Sequence, residues 1–201
     1  MTPLIKIKRP TSEEVRKYTI EKVDEHYELQ EVALNKLFTK TYPKNDDIND
    51  ILIKASSLND FYSTNIFSIF PVAKHIKDLN IDKGLEDGDL SLVSKIASVN
   101  INGVNKKFYS FASKYCSHHK PEKFPIYDYY VDTMLKYFQK TDSFYKSKKM
   151  DLKNYETFCD VINEFIKFYS LGEFKIKQID VYLWQLGKVA FPRNYKKKSK
   201  Q

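Results

Sequence analysis

The chain has 201 residues, of which 42% are hydrophobic and 15% aromatic, and its formal net charge is +8. With only 5 glycines and 7 prolines, it is neither a disordered tail nor a glycine-rich repeat protein. The basic excess favours partners that carry phosphates or acidic surfaces, although AT-rich coding sequence by itself also supplies many lysines. The length suffices for one domain with a sizeable core, or for two small helical lobes around a groove.

Cysteine usage and the start of the chain indicate the cellular compartment. The two cysteines, Cys116 and Cys159, cannot form a disulfide framework and suit a reducing environment. Residues 1–6 lack the apolar run of a signal peptide, and no stretch reaches the roughly 20 apolar residues of a membrane span. We therefore expect a monomeric cytoplasmic protein, associated with the nucleoid if it is bacterial, with no membrane partner.

The first half of the chain predicts a series of helices. Residues 1–10 are expected to form a flexible lead. The capping-box pattern of residues 11–14, Thr-Ser-Glu-Glu, then predicts the start of a long helix that runs to about residue 38. Further helices are predicted for residues 47–55, 67–76 and 89–97, the last with Asp89 as its N-cap.

The second half continues the helical pattern. Residues 99–104 are predicted to form a short turn between two helices, of which the second has an apolar face. A helix is expected to begin at Asp128, another to cover residues 150–171 with Gly172 as its stop, and a last one to cover residues 176–191. No segment shows the alternation of a strand. The prediction is an all-α fold of seven to ten helices in one domain, residues 11–191, followed by a basic tail, residues 192–201.

The turn "INGVNKK", residues 101–107, invites a closer interpretation. A glycine-containing turn between two helices can present backbone amides to a phosphate oxygen, and its carbonyls can hold a monovalent cation. Gly103 would supply the turn and Val104 would anchor it in the core. Such contacts position a protein on a nucleic-acid backbone without reading its sequence.

The residues "INGVNKKFYSFASKYC", followed by "PIYD", resemble the helix-hairpin-helix DNA glycosylases, the superfamily of 8-oxoguanine DNA glycosylase and endonuclease III. The hairpin of that family reads roughly Leu-Pro-Gly-Val-Gly-x-Lys, and an aspartate follows about twenty residues later. Lys107 falls on the lysine of this motif and Asp128 on its aspartate. Asn102 and Asn105 replace the proline and the second glycine, and the match covers about thirty residues, with the hairpin at about residues 96–118.

The resemblance implies base excision from duplex DNA by a two-lobed helical protein, without an organic cofactor. Lys107 would be the nucleophile that forms a Schiff base with the sugar, with Lys114 as its alternative, and Asp128 would stabilise the charge on the sugar. The residues expected to contact DNA are Asn102, Gly103, Val104, Asn105, Lys106 and Lys114. The flipped base would lie against aromatic rings, for which Tyr109, Phe111, Tyr127, Tyr129 and Trp184 are candidates.

Other interpretations of the same residues stay open. Asp128 is also a plausible helix N-cap, and Lys107 a simple phosphate contact. The Cys116, His118 and His119 group lacks the second ligand pair of a structural zinc site, so no metal is predicted. Two other functions fit the composition: a noncatalytic helix-hairpin-helix DNA-binding protein, and a helical protein-interaction module whose tail binds an acidic partner.

Overall fold

The structure is a computed structural model that describes residues 2–21, 25–146 and 149–193. Most of the predicted basic tail, residues 194–201, lies outside this range. The fold is mostly helical, as predicted. Its elements are α1 (Ser12–Arg16), α2 (Glu25–Lys36), α3 (Ile48–Phe61), α4 (Ile69–Leu79), α5 (Asp82–Asp87), α6 (Ser91–Ala97), β1 (Ser98–Ile101), β2 (Val104–Lys107), α7 (Tyr109–His119), α8 (Tyr129–Asp142), α9 (Tyr155–Phe168) and α10 (Ile176–Ala190).

The N-terminal region begins as the capping pattern predicts. The Thr11 hydroxyl accepts a hydrogen bond from the Glu14 amide at 3.2 Å. Helix α1 then passes into a π-helical segment at residues 17–21, and α2 passes into a second one at residues 37–41, so the predicted helix of residues 11–38 is not uniform. The lead is irregular, but the Leu4 amide donates to the Ala190 carbonyl at 2.8 Å, which ties the lead to the end of α10.

A β-hairpin replaces the predicted turn between helices α6 and α7. Strands β1 and β2 are antiparallel, and Asn102 and Gly103 link them with φ angles of 51° and 80°. Two consecutive residues with positive φ form the Asn-Gly type I′ turn that is preferred in tight hairpins. The prediction of no strand was therefore wrong. Val104 is 52% exposed, so the prediction that it anchors the turn in the core was also wrong.

The buried side chains form one continuous core that includes residues of every α-helix. Large aromatic side chains fill much of this core, among them Tyr115 of α7, Tyr155 of α9 and Tyr182 of α10. Each buried tyrosine contributes large apolar area to the core. None of the helices in the described part of the chain combines the length and apolar character that a membrane crossing requires.

The close approach of α8 and α10 brings the candidate site together. Gly187 of α10 lies against Tyr130 of α8, and a β-carbon built at Gly187 would lie 2.7 Å from the Tyr130 β-carbon. Real β-carbons do not approach so closely, so any side chain at Gly187 would push the two helices apart. The glycine thereby keeps the first turn of α8, with Asp128 before it, next to the α10 residues that face the same groove.

Candidate functional site

Asp128 caps helix α8 and lines a surface groove. Its backbone is extended, with φ −138° and ψ 160°, and its Oδ1 accepts a hydrogen bond from the Tyr130 amide at 2.9 Å. The second carboxylate oxygen, Oδ2, lies 3.3 Å from the ammonium nitrogen of Lys114. The Asp128 side chain is 22% exposed, so a molecule in the groove can reach the carboxylate.

Lys114 is the buried partner of this ion pair. Its side chain is only 3% exposed, and Nζ also donates to the Ser110 hydroxyl at 2.6 Å. Nζ lies 5.1 Å from the centre of the Tyr62 ring. Burial lowers the pKa of Lys114, since a charged ammonium loses hydration in the interior, whereas the Asp128 carboxylate opposes that shift. The amine is therefore easier to deprotonate than that of a surface lysine.

Lys107, the first predicted nucleophile, occupies a different environment. It ends strand β2 with an exposed side chain, and it lines the same part of the groove as Asp128. Within the described residues, it forms no ion pair. The structure thus brings Lys114, and not Lys107, within ion-pair distance of Asp128. Of the two lysines that the sequence suggests as the nucleophile, only Lys114 is buried away from water.

The remaining predicted DNA contacts lie on the exposed hairpin. Asn102 and Gly103 form its tip, and the strand that follows is exposed at each of its four residues. The tip is held by the Asn100 side chain, which accepts from the Gly103 amide and donates to Asn105, both at 3.0 Å. The hairpin therefore presents Lys106 to solvent on a fixed support. The DNA contacts and the monovalent cation at this turn stay predictions.

A chain of hydrogen bonds fixes the Tyr62 ring, which lies beside Lys114 of the ion pair. The Tyr62 hydroxyl donates to Glu31, and His118 Nε2 lies 3.1 Å from the same hydroxyl oxygen. Since the tyrosine proton is already given to Glu31, His118 must be the donor to Tyr62. Burial lowers the pKa of His118 to about 3, so the imidazole is neutral. Lys177 completes the chain with a salt bridge of 2.8 Å to Glu31.

The charge of Glu31 follows from its neighbours. Burial alone would raise the pKa of the Glu31 carboxyl, but the charge of Lys177 and the hydrogen bonds that Glu31 accepts from Lys177 and Tyr62 outweigh this effect, and the pKa is lowered overall. Glu31 is therefore ionised at neutral pH. Its two oxygens are taken by the Tyr62 hydroxyl and the Lys177 ammonium, which fixes the ring that lies beside Lys114.

Asp180 of α10 is a second carboxylate at this site. Its side chain is 3% exposed, and its Oδ2 accepts a hydrogen bond from the Ile126 amide at 2.8 Å. Within the described residues, no group donates to its Oδ1. Burial raises the pKa of Asp180 to about 7, against the opposing effects of the Ile126 amide, Lys177 and Lys114. Asp180, Lys114, Asp128 and Lys177 line one small cavity of about 20 Å³.

The small cavity adjoins two wider parts of the groove, of about 490 and 450 Å³, because all three share Tyr62, Asp128 and Trp184. Aromatic rings and cations alternate along these walls. Lys153 lies 4.3 Å from the centre of the Tyr127 ring, and the Arg193 guanidinium lies 3.5 Å from that of Tyr129. Other lining residues of the same types are Tyr27, Tyr109, Tyr130, Lys107 and Lys188.

The structure places all five aromatic candidates from the sequence along the groove. Tyr109, Tyr127, Tyr129 and Trp184 all line the groove, together with Phe111, which is otherwise a core residue. The indole of Trp184 stacks on Tyr27, with ring centres 4.9 Å apart, and Lys188 lies 4.4 Å from the indole centre. These rings therefore form part of the groove wall.

Sequence reasoning missed Glu31, Lys177 and Asp180. One of them carried a readable signal: Asp180 lies three residues before Leu183 on the apolar stripe of an amphipathic helix, where a carboxylate is out of place. The others lie on polar stretches that look like any solvent-exposed surface, and only the fold brings them together.

The Cys116, His118 and His119 group does not form a metal centre. His118 hydrogen-bonds to Tyr62, whereas His119 faces the buried Lys54, whose Nζ lies 3.4 Å from His119 Nε2. Burial raises the pKa of the Cys116 thiol. In residues 2–21, 25–146 and 149–193, no group of three metal-ligating side chains converges.

Comparisons with known proteins place the chain in a family. The family model HI_0787_N, an N-terminal domain, matches residues 12–123, which is more than half of the chain. A protein of Haemophilus influenzae, described as an uncharacterized protein, is 46% identical over 165 residues, which cover 81% of this chain and 79% of that protein. No solved structure matches the chain. The chain therefore belongs to the HI_0787_N family.

Proposed function

We propose that the protein is a DNA base-excision glycosylase with associated lyase activity, in which Lys114 is the nucleophile and Asp128 stabilises the charge that develops on the sugar. The observation that carries the proposal is the ion pair of 3.3 Å between a lysine that is 3% exposed and a carboxylate that lines the groove. The resemblance of the hairpin and of the "PIYD" segment to helix-hairpin-helix glycosylases supports it. The protein would act on duplex DNA in the cytoplasm.

The chemistry assigns separate tasks to the two residues. A lysine attacks a sugar carbon only as the free amine, and burial favours this form in Lys114. When the bond between base and sugar breaks, positive charge develops on the sugar, and a carboxylate close to it lowers the barrier. Asp128 is held by the Tyr130 amide in the direction of the groove, so it needs no reorganisation for this task.

The groove has features that suit a nucleic acid. Positive side chains follow a phosphate backbone, and aromatic rings stack with bases, each at about 1–3 kcal/mol. Phe67 lies close to this groove in the chain: it is 98% exposed and follows by two residues Asn65, which lines the groove. The Asn59 side chain bonds both the amide and the carbonyl of buried Ile66, so Phe67 is presented on a fixed loop.

Borohydride trapping on duplex oligonucleotides with a single lesion tests the proposal. The panel contains 8-oxoguanine, uracil, an alkylated adenine and an abasic site, and base release is measured in parallel. We expect a covalent adduct with the wild type and with Lys107→Gln, and none with Lys114→Gln. Asp128→Asn should slow base release by about 10²-fold or more, as loss of one electrostatic group does in other enzymes.

Lys107→Gln is the matched control, because it removes the same charge from an exposed position of the same groove. An adduct that persists in Lys114→Gln and disappears in Lys107→Gln would transfer the nucleophile role to Lys107. Neither adduct nor base release with any lesion would refute the enzymatic proposal.

One observation favours a second candidate, a noncatalytic DNA-binding protein. Both oxygens of Asp128 already have partners, the Tyr130 amide and the Lys114 ammonium, as in a purely structural cap. This candidate predicts duplex binding that weakens steeply with salt, without base release on any lesion. Fluorescence anisotropy at several salt concentrations, performed on the same oligonucleotides, separates the two candidates.

A further inference from the structure

The two wide parts of the groove differ in charge. The part of about 490 Å³, here called the acidic pocket, contains the carboxylates of Glu31 and Asp60 besides that of Asp128. The part of about 450 Å³, here called the basic pocket, is lined by the cations Lys107, Lys153 and Arg193. We propose that the acidic pocket binds a planar heteroaromatic ring that carries a positive charge. Resting on the proposed function, this ring is a base of the duplex that has been alkylated at a ring nitrogen.

A cation of the protein itself already lies in the acidic pocket. Lys188 of α10 is exposed, and its ammonium nitrogen lies 4.4 Å from the centre of the Trp184 indole. Within the described residues, Lys188 forms no salt bridge, so the indole face is the group that attracts its charge. This wall therefore accepts a positive charge, and a ligand can displace the flexible lysine from it.

The aromatic wall is suited to a flat ring. Tyr27 and Trp184 stack with ring centres 4.9 Å apart and an angle of 29° between their planes. The Tyr62 ring, fixed by its hydrogen bonds to Glu31 and His118, lines the same pocket. A flat ring that stacks here covers apolar surface, and a positively charged ring gains attraction to the aromatic faces as well.

Unbalanced negative charge in the acidic pocket comes from the end of helix α3. Glu31 and Asp128 are each neutralised by a lysine, Lys177 and Lys114 respectively. Asp60, by contrast, is exposed in the last turn of α3 and forms no salt bridge with any described residue. The helix has 14 residues and ends at Phe61, which also lines the pocket, so the partial negative charge of its C-terminus adds to that of Asp60.

The border between the two pockets lies at the proposed reaction centre. Asp128, Tyr62 and Trp184 line both pockets. A nucleotide that crosses this border would place its base in the acidic pocket and its phosphates among the cations of the basic pocket. Its sugar would then lie beside Asp128, which is the position that the proposed function requires for this carboxylate.

The charge of the base separates the substrate classes. Alkylation at a ring nitrogen gives a purine in DNA a positive charge, whereas uracil, 8-oxoguanine and the normal bases are uncharged. When the bond between base and sugar breaks, its electron pair stays with the base and neutralises it. The acidic pocket would therefore prefer the damaged base both to normal bases and to the released product.

Fluorescence of Trp184 reports on the pocket directly, because it is the single tryptophan of the chain. The full-length protein is titrated at pH 7 with 1-methyladenosine, which is a cation, and with adenosine, which has nearly the same shape without the charge. We expect 1-methyladenosine to quench the emission and to bind at least about fivefold more tightly than adenosine. Equal affinities, or no quenching by either nucleoside, would overturn the proposal.

Two substitutions should change this affinity in opposite directions. Asp60→Asn should weaken binding of 1-methyladenosine by about threefold and leave that of adenosine unchanged, as expected for one exposed charge. Lys188→Gln removes the competing cation and should strengthen binding of 1-methyladenosine by a similar factor.

Lys153→Gln is the matched control for Lys188→Gln. Lys153 also lies over an aromatic ring, 4.3 Å from the centre of Tyr127, but it lines the basic pocket. This variant should bind both nucleosides like the wild type. If Lys153→Gln strengthens binding of 1-methyladenosine as much as Lys188→Gln does, the cation is not bound in the acidic pocket.

Base release separates this inference from the proposed function. Duplexes that contain 7-methylguanine, 8-oxoguanine or uracil are compared, and the cationic 7-methylguanine should be released fastest. Release confined to the two uncharged lesions would refute the inference and leave the proposed function standing. A preference for 1-methyladenosine without release of any base would refute the proposed function and support the acidic pocket as a site for planar cations.

Discussion

Replacing Asp180 with asparagine should stabilise the protein at neutral and alkaline pH. The pKa of Asp180 rises from the ordinary 3.8 to about 7 on folding, because burial disfavours the charged carboxylate. Between these two pH values, the folded protein holds a proton that the unfolded chain has released. The free energy of unfolding contributed by this group therefore falls as the pH rises from about 4 to about 7.

The magnitude follows from the size of the change in pKa. At about 1.4 kcal/mol for each pH unit, the carboxylate costs the folded state about 4 kcal/mol above pH 7. Asparagine carries no charge, and its amide oxygen can accept the hydrogen bond of the Ile126 amide that Asp180 accepts at 2.8 Å. Its amide NH₂ group must be satisfied in the cavity, which offsets about 1–2 kcal/mol of the gain. We expect a net stabilisation of about 2–3 kcal/mol at pH 8, and a net destabilisation of about 1–2 kcal/mol at pH 4, where the cost of the amide remains without the gain from the lost charge.

Urea unfolding of the wild type and Asp180→Asn at pH 4, 5.5, 7 and 8 provides the measurement, with the m value as the check on two-state behaviour. Asp160→Asn on the exposed face of α9 controls for the change in net charge. The decisive quantity is the difference between variant and wild type at each pH. A difference that stays constant from pH 4 to pH 8 would refute the argument, since it would show that Asp180 titrates alike in the folded and unfolded chain.

Three further substitutions test other parts of the structure. His118→Gln should make the protein less sensitive to acid: burial lowers the pKa of His118 to about 3, so stability is lost as the pH falls from about 6.5, and urea unfolding at pH 4.5 and 7 measures this. Lys54→Met should cost about 2–4 kcal/mol by the same assay, because Nζ donates to the Lys44 carbonyl at 2.7 Å and to Asn45 at 2.8 Å inside the core. Phe67→Ala should change stability by less than about 0.5 kcal/mol, yet weaken duplex binding about tenfold in an anisotropy titration.

The helices were largely predictable, because their signals are local. The Thr11 cap and the Asp128 cap are both confirmed by the hydrogen bonds that their side chains accept. The β-hairpin was missed, although Asn102-Gly103 is the strongest short signal of a type I′ hairpin turn. The four-residue strands are too short to show alternation, so the segment was interpreted as a turn between two helices.

The candidate site was predictable only in part, for a physical reason. The sequence favoured Lys107 as the nucleophile and Lys114 only as its alternative, because sequence spacing carries no information about desolvation. The fold distinguishes them: Lys114 is two turns into α7 and buried, whereas Lys107 is exposed on β2. Asp180 and Glu31 lie far from either lysine in sequence, so no local pattern could connect them to the site.

The boundary of the matched family domain passes through the candidate site. The matched residues 12–123 include Lys114 and the Tyr62 ring beside it, whereas Asp128 and Asp180 lie beyond the match. The ion pair of 3.3 Å therefore joins the two parts of the chain, and one continuous core surrounds it. A lysine held at 3% exposure without its carboxylates would be a buried, unpaired charge, which typically costs 3–5 kcal/mol. The first part thus depends on the second for stability as well as for the proposed chemistry, and a mutation that separates α8 from α10 should damage both.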